Sequence, residues 1–352
     1  MTKKVILITA FVLVFTVLFN SFIFAGNSAI KTPENHFGIS PTEIFKVEDT
    51  DGDSTTIQGG CYANGCLYVF TRNGDSKNNY GTLICYDAKT HKELSSSTTY
   101  VLHGNDMTYC DLMDYFVFAT SEFFDENDNF KKKYSNKIYC MTSYGQCLNQ
   151  VTLGEFITVF GISYDSKNKQ YLVAGTKSNG MRVIKKYSVD FNVVSGFEIP
   201  YYAEYASDIA QGIDSDGNYI YAAQAKEDNN EGYISVTSLI TKEYVCRYSF
   251  DTSAIVLFNK ELENVSKNQN TLYLGCNVNS TAKDCMMAWS YLRGDVNGDD
   301  VIDMLDVLNI RKKLSGENSV NINYLAADAN SNGKIDDDDV TVIRKIIAKQ
   351  PV

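Results

Sequence analysis

Five short apolar strands recur at nearly even intervals through the middle of this 352-residue chain. They read CLYVFT (66–71), YFVFAT (115–120), QYLVAGT (170–176), YIYAAQ (219–224) and TLYLGC (271–276). Aligned on Tyr68, Val117, Leu172, Tyr221 and Tyr273, they follow one another in steps of 49, 55, 49 and 52 residues. After each comes a polar loop and a second strand-like run: GTLICYD, NKIYCMT, MRVIKKY, GYISVTS or DCMMAWS.

A repeat of about 50 residues built from short strands limits the possible folds. Strands at regular spacing, without a convincing helix between them, are typical of radial β-repetition. The sequence therefore predicts a mainly β domain over residues 26–293, folded as a five-bladed β-propeller. The segment from Pro41 to Asp49 is expected to supply the strand that closes the ring. A sandwich of two sheets is the structural alternative, but it does not explain the even spacing.

Polar residues and glycines mark the predicted start of the innermost strand in four of the five repeats. These starts are Gln58-Gly59-Gly60, His103-Gly104-Asn105-Asp106, Phe160-Gly161 and Asp208-Ile209-Ala210-Gln211-Gly212. In a propeller they converge on one face around the central channel, where polar side chains can meet a ligand. The candidate ligand-binding residues are Gln58, His103, Asn105, Asp106 and Gln211. The alternative is that these groups bond only to one another and to channel water. Residues 253–259 of the fifth repeat have no such polar start.

Near the C-terminus, two twelve-residue segments are near-copies of each other: DVNGDDVIDMLD (295–306) and DANSNGKIDDDD (328–339). Each has side-chain oxygens at positions 1, 3, 5, 9 and 12 and a main-chain carbonyl at position 7, the spacing that surrounds a calcium ion. The predicted ligands of one Ca²⁺ ion are Asp295, Asn297, Asp299, Val301, Asp303 and Asp306. Those of a second Ca²⁺ ion are Asp328, Asn330, Asn332, Lys334, Asp336 and Asp339.

The two segments differ from EF-hand loops in their surroundings. Position 12 is Asp rather than Glu, no helix-like segment precedes either loop, and an amphipathic stretch follows each one. This loop–helix pair over residues 294–352 resembles a type I dockerin, the calcium-dependent docking module of cellulosome components. The resemblance implies a small α-helical domain that binds a cohesin module of a scaffoldin. One departure is Asp300, where the pattern expects a glycine with positive φ.

The resemblance also suggests where a cohesin would bind. In type I dockerins, loop positions 10 and 11 and the following helix carry much of the recognition, which here implies Met304, Leu305, Leu308, Arg311 and Lys312. The second repeat has Asp337-Asp338 where the first has Met304-Leu305. Because an apolar pair and an acidic pair cannot satisfy the same surface, we expect a single binding orientation, dominated by the first repeat.

The N-terminus has the organisation of an export signal. Lys3 and Lys4 precede an apolar run from Val5 to Phe24, and small residues follow it. The sequence predicts a signal peptide over residues 1–25, cleaved near Ala25 or Ala29, and a secreted, extracellular protein. An uncleaved membrane anchor is the alternative, the one case in which a membrane would be a partner.

Charge and cysteine content exclude some classes. With 32 basic against 43 acidic residues the net charge is −11, which argues against a nucleic-acid partner. Nine cysteines form an odd set without CxxC pairs, so most are expected to be small buried apolar residues. A bridge between Cys61 and Cys66 across a hairpin is the alternative at that pair.

The sequence leaves the activity of the propeller open between three classes. Five-bladed propellers include arabinanase-like glycosidases, and Asp106 and Asp208 are the candidate catalytic carboxylates by that resemblance. However, the first repeat has Gln58-Gly59 where those enzymes have an Asp-Pro motif. A carbohydrate-binding module for a polysaccharide or oligosaccharide is the competing class, with loop tyrosines as groove residues: Tyr80, Tyr109, Tyr201, Tyr202 and Tyr205. The third class is a structural subunit of the complex.

Overall fold

The computed structural model describes residues 36–47, 56–72, 81–99, 101, 103–124, 130–131, 136–203, 209–225, 231–251, 260–278, 284–317 and 319–352. The predicted signal segment, Asp208, Tyr80 and Tyr205 lie outside these residues. Among the residues that are described, no helix is long and apolar enough to cross a membrane.

Five separate β-sheets, each with four or five main strands, form the blades of a propeller. The chain begins with β1 (His36–Gly38) and β2 (Thr42–Lys46), which join later blades. Blade 1 contains β3 (Thr56–Ala63), β4 (Cys66–Arg72), β5 (Gly81–Asp87) and β6 (Glu93–Thr99). Blade 2 contains β7 (His103–Cys110), β8 (Tyr115–Phe124), β10 (Lys137–Met141) and β11 (Cys147–Thr152), with β9 (Phe130–Lys131) paired to β8.

The remaining blades follow the same order from the channel outwards. Blade 3 contains β12 (Thr158–Asp165), β13 (Gln170–Thr176), β14 (Arg182–Ser188) and β15 (Val193–Pro200). Blade 4 contains β16 (Ile209–Ser215), β17 (Tyr219–Ala225), β18 (Glu231–Ser238) and β19 (Tyr244–Asp251), and β1 adds a parallel fifth strand. Blade 5 contains β20 (Lys260–Asn268), β21 (Thr271–Val278) and β22 (Cys285–Ser290).

The fourth strand of blade 5 comes from the N-terminal part of the chain. Strand β2 pairs antiparallel with β22, with Thr42 opposite Ala288 and Lys46 opposite Cys285. This pairing closes the ring by joining the two ends of the repeat region, so the prediction for the segment from Pro41 is confirmed. The five aligned apolar strands are β4, β8, β13, β17 and β21, the second strand of every blade.

Apolar side chains between the faces of adjacent blades hold the ring together. Between blades 2 and 3, Val117 and Ile138 pack in one cluster with Ile162 and Tyr171, and all four are fully buried. Each such side chain contributes roughly 1.5–3 kcal/mol by leaving water. Second strands such as β13 and β17 are therefore buried along nearly their whole length, because a blade packs against another blade on either side.

One sequence alternative for the cysteines is wrong. In the hairpin of β3 and β4, Cys61 lies opposite Tyr68, while Cys66 lies opposite Ala63. The two residues are therefore two register positions apart, and both thiols are free.

Three helices form the C-terminal region: α1 (Met304–Leu314), α2 (Tyr324–Ala327) and α3 (Asp337–Ile347). Helices α1 and α3 are the two amphipathic stretches of the sequence, and each begins with a capping box, Asp303 with Asp306 and Asp336 with Asp339. Their apolar faces meet through residues such as Val307, Ile310, Val340 and Ile343. The one-turn helix α2 directly precedes the second acidic segment, where the sequence analysis expected no helix.

Candidate functional site

The first acidic segment curls around two buried carboxylates. Asp295 accepts hydrogen bonds from the backbone N–H groups of Gly298 (2.8 Å) and Asp300 (3.0 Å). Asp306 accepts from the backbone N–H groups of Val296 (2.7 Å) and Asp303 (2.8 Å). Asp295 is 3% exposed and Asp306 is fully buried. The loop ends are therefore tied together by positions 1 and 12, the outermost predicted calcium ligands.

The second segment repeats this geometry. Asp328 accepts from the backbone N–H groups of Asn332 (3.0 Å) and Gly333 (2.9 Å). Asp339 accepts from Asn330 (3.0 Å) and Asp336 (2.8 Å). At position 6 the second loop has Gly333 with φ 87°, and Asp300 of the first loop adopts the same left-handed conformation with φ 64°. The departure from the glycine pattern at Asp300 thus leaves the loop shape intact, at a modest conformational cost.

The residues of both loops fit a hard divalent cation. Burial raises the pKa of Asp295, and the neighbouring Asp306 adds to the shift. Burial likewise raises the pKa of Asp339 to about 6. Like-charged carboxylates held together away from water call for a compensating cation. No group of three or more His, Cys, Asp or Glu residues in the described ranges forms a metal cluster. The loops instead combine carboxylate, amide and main-chain oxygens, the donor set that calcium takes.

The first repeat presents an apolar surface to solvent. On α1, Met304 is 58% exposed, and Leu305 and Leu308 are each 47% exposed. We call these three residues the α1 face. Of the other two predicted cohesin-binding residues, Arg311 is exposed and Lys312 is partly exposed, one and two positions beyond buried Ile310. At the equivalent positions of α3, Asp337 and Asp338 are exposed carboxylates. The two repeats therefore differ in surface chemistry as the sequence indicated.

The structure aligns several predicted channel residues at one level of the propeller. In every blade the pairing of the innermost strand with the second strand slips by a β-bulge at the same place. The residues at these slips are Gln58, Asn105, Phe160, Gln211 and Glu263, which we call the bulge ring. Three of the five predicted ligand-binding residues therefore occupy equivalent positions on three different blades. The side chain of His103, like Asp208, lies outside the described part of the chain.

Two carboxyl groups of blade 5, those of Glu261 and Glu263, are not among the residues predicted from the sequence. Gln211 donates a hydrogen bond to Glu261 (2.6 Å), which in turn lies beside Glu263. Burial raises the pKa of Glu263 well above its ordinary range, and repulsion from Glu261 adds to the shift. Burial also raises the pKa of Glu261, opposed by the bond from Gln211. The two carboxyl groups are close enough to affect the pKa of each other.

The spacing of residues along the sequence is the signal that identifies Glu263. The bulge residue precedes the aligned residue of the second strand by 10 to 12 positions in every blade (58 to 68, 105 to 117, 160 to 172, 211 to 221 and 263 to 273). The start of the fifth inner strand was predicted at residues 253–259 instead. These residues lie outside the described part, and β20 begins at Lys260.

Asp106, on the innermost strand of blade 2, links that blade to two others. It is fully buried, and its carboxylate accepts the backbone N–H groups of Met107 (2.9 Å), Ile162 (2.8 Å) and Ile213 (2.8 Å). Burial raises the pKa of Asp106 well above its ordinary range, opposed by these three hydrogen bonds. Because blades 2, 3 and 4 all donate to it, its oxygens are turned into the protein. This position favours a structural role over contact with a substrate.

At the other end of the inner strands, a cavity of about 260 Å³ opens on the channel axis. We call it the mouth cavity; residues from all five blades line it, including Tyr62, Tyr109, Tyr164, Asp214 and Lys267. Asp214 accepts from Lys267 N (2.7 Å) and from Ser163 Oγ (2.9 Å), and burial raises its pKa to about 6. Of the predicted groove tyrosines, Tyr109 lines this cavity, whereas Tyr201 is buried in the core of blades 3 and 4.

The comparisons with known proteins agree with the C-terminal geometry. Residues 293–348 match the family model of the dockerin type I domain. Such domains in general bind calcium and dock to cohesin modules, and they mark cellulosome-associated, extracellular proteins. No curated protein matches the chain.

Among solved structures, the chain is similar to hydrazine synthase of Kuenenia stuttgartiensis, with 11% identity and a TM-score of 0.36. The alignment covers 65% of this chain and 57% of that chain, so this chain spans little more than half of its length. A likeness this distant carries no functional conclusion. The described strands form a five-bladed propeller, and residues 293–348, which follow it, match the dockerin type I family model.

Proposed function

We propose that this protein is a secreted cellulosome component, which docks through residues 294–352 onto a scaffoldin cohesin and carries the propeller, residues 26–293, as its cargo. The signal peptide of residues 1–25 supplies export, and two calcium ions hold the docking domain in its binding shape. The single observation that carries the proposal is the family match of residues 293–348. It is supported by the exposed α1 face, because solvent-exposed apolar side chains grouped on one surface mark an interaction site.

The proposal includes one binding orientation. The α1 face is apolar, whereas the same positions of α3 carry Asp337 and Asp338. An unpaired carboxylate buried against an apolar cohesin surface costs several kcal/mol, so the second repeat is a poor substitute for the first. Arg311 and Lys312 then contact acidic groups at the rim of the interface.

Calorimetric titration with type I cohesin modules tests this orientation. Leu305→Glu should weaken binding at least tenfold, while Asp338→Ala, an equally exposed change in the second repeat, should leave it within about twofold. Equal small losses from both variants, with binding abolished only in the double variant, would instead show that the domain binds in two orientations.

For the propeller, we propose binding of a small polar ligand such as one sugar unit in the mouth cavity. Tyr62, Tyr109 and Tyr164 provide aromatic surfaces. The exposed residues Asn64, Asp111 and Ser166 add polar groups to the same cavity. The cavity volume of about 260 Å³ suits a small ligand better than a polysaccharide chain. The arabinanase-like alternative has lost support, because Asp106 is turned into the protein.

A glycan array probed with the full chain, read for both binding and product release, tests this second part. Tyr109→Ala should reduce binding of any sugar that the chain retains, with Tyr139→Ala as a matched control on the outer part of the same blade. Product release from any glycan would revive the glycosidase alternative. Binding that is insensitive to Tyr109→Ala would place the ligand elsewhere.

A further inference from the structure

Blade 4 of the propeller makes direct hydrogen bonds to the second calcium loop. Asn218 Nδ2 donates to the backbone carbonyl of Ser331 (2.8 Å), and Ser238 Oγ donates to the backbone carbonyl of Gly333 (2.8 Å). Both donors lie at turns of blade 4, just before β17 and at the end of β18. The loop therefore rests on two successive turns of one blade, rather than hanging from the propeller by its linker.

Helix α2, which leads into this loop, is built into the same blade. Tyr248 Oη donates to Asn323 Oδ1 (2.8 Å) and accepts from the backbone N–H of Leu325 (2.9 Å). Leu325 is 4% exposed and belongs to the apolar cluster of blades 4 and 5. The ring of Tyr324 packs edge-on against Tyr219, with 6.2 Å between the ring centres. The entry to the second loop is thus fixed by core packing as well as by hydrogen bonds.

The shortest bond of this interface reaches a predicted calcium ligand. Tyr219 Oη donates to Asp328 Oδ2 (2.6 Å), and both residues are only 3% exposed. Asp328 stands at position 1 of the loop. The hydroxyl of Tyr219 and the backbone N–H of Gly333 both bond to Oδ2. Oδ1 accepts one hydrogen bond, from the backbone N–H of Asn332, and keeps a lone pair for a metal ion. Partners of this kind, one bond away from the ion, orient metal ligands and keep them in the binding geometry.

The first loop meets the propeller differently. Gly298 lies against the ring of Phe37 on β1, and a Cβ atom at position 298 would stand 2.7 Å from that ring. The propeller therefore contacts the first loop by packing against a glycine. It contacts the second loop through a hydrogen bond to the carboxylate of a predicted calcium ligand.

We propose that blade 4 is a built-in support for the second calcium site, with Tyr219 as the positioning residue for Asp328. Because binding linkage is reciprocal, calcium in the second loop and closure of this interface strengthen each other by the same factor. Calcium thereby stabilises both the fold of the docking domain and its interface with blade 4 of the propeller. The inference rests on the proposed calcium binding of residues 328–339.

A calcium titration of the full chain tests the support role. An Asp295→Ala background removes the first site, so that the remaining calorimetric signal reports the second. In that background Tyr219→Phe should raise the calcium dissociation constant about tenfold, the lower end of the effect of outer-shell partners. Tyr233→Phe is the matched control, since its hydroxyl donates to Gln224 Oε1 (2.6 Å) within the same blade and away from the loop. It should leave the dissociation constant unchanged.

Two outcomes would contradict the proposal, and they are distinguishable. Equal calcium affinity of the Tyr219→Phe and Tyr233→Phe chains would overturn the support role while leaving calcium binding intact. Absence of calcium binding in the Asp295→Ala background would overturn the second site itself, and the proposal with it. As a second measurement, Ser238→Ala, which removes a different interface bond, should also weaken calcium binding. In hydrogen exchange, calcium should protect β17 in the unmodified chain and not in the Tyr219→Phe chain.

Discussion

Replacing Asp106 by alanine should destabilise the propeller severely, because this carboxylate joins three blades. The substitution leaves the N–H groups of Met107, Ile162 and Ile213 without their acceptor, at 2.8–2.9 Å in the native protein. A buried unpaired donor costs roughly 1–3 kcal/mol. Relief of the buried carboxyl group offsets part of this cost, so the expected loss is about 3–6 kcal/mol of unfolding free energy. Asp106→Asn retains one acceptor oxygen and the side-chain volume, and should cost about 1–3 kcal/mol.

Urea unfolding followed by the fluorescence of Trp289, the single tryptophan, measures this loss. Trp289 lies in β22 of blade 5 and packs near Tyr248, so its signal reports the propeller. Asp111→Ala is the control, since it removes an exposed carboxylate from the turn that directly follows β7 in the same blade. The predicted order of midpoints is wild type and Asp111→Ala, then Asp106→Asn, then Asp106→Ala. An Asp106→Ala chain within about 0.5 kcal/mol of wild type would refute the structural role and return Asp106 to the ligand candidates.

Further predictions concern the channel and the calcium loops. The folded Asp214 carboxyl has a pKa of about 6, whereas an unfolded aspartate titrates near 3.9, so the free energy of unfolding should fall as pH rises from about 4 to 6. In the Asp214→Asn chain, the free energy of unfolding should fall by up to about 3 kcal/mol less over this pH range. The same dependence of the urea midpoint on pH in both chains would contradict this prediction. Gly212→Ala should cost about 1–3 kcal/mol, because its Cβ would lie 2.6 Å from Asp106 Oδ1, while Gly38→Ala, with open space around it, serves as the neutral control for thermal unfolding. Asp295→Ala and Asp328→Ala should each reduce the calorimetric calcium stoichiometry from two ions to one; an unchanged count would contradict the loop assignment.

Local patterns in the sequence predict much of this fold. The second strand of every blade and helices α1 and α3 follow from apolar periodicity, since each buries its apolar positions against neighbouring elements. The closing strand β2 follows from a short apolar run outside the five repeats. These features depend on residues close together in the chain, which is why one sequence suffices to find them.

The functional details that escaped prediction depend on contacts between distant residues. Asp106 is bonded to groups 56 and 107 positions away, and Tyr219 to a carboxylate 109 positions away. Some carboxylates accept hydrogen bonds from backbone N–H groups of other blades, and others face a ligand. No local sequence pattern distinguishes the two kinds. The register of the β3–β4 hairpin, which keeps Cys61 from Cys66, is likewise set by pairing along the whole strand rather than by the turn alone.

The docking function itself is tested most directly by titrating a type I cohesin panel into the full chain, with calcium and again with excess EDTA. We expect one cohesin to bind one chain in calcium. In EDTA we expect binding to be lost while Trp289 fluorescence still reports a folded propeller, because each site loses about 2.7 kcal/mol of stabilisation when calcium at 100 times its dissociation constant is removed. Cohesin binding of equal strength with and without EDTA, or no binding to any cohesin in calcium, would contradict the account.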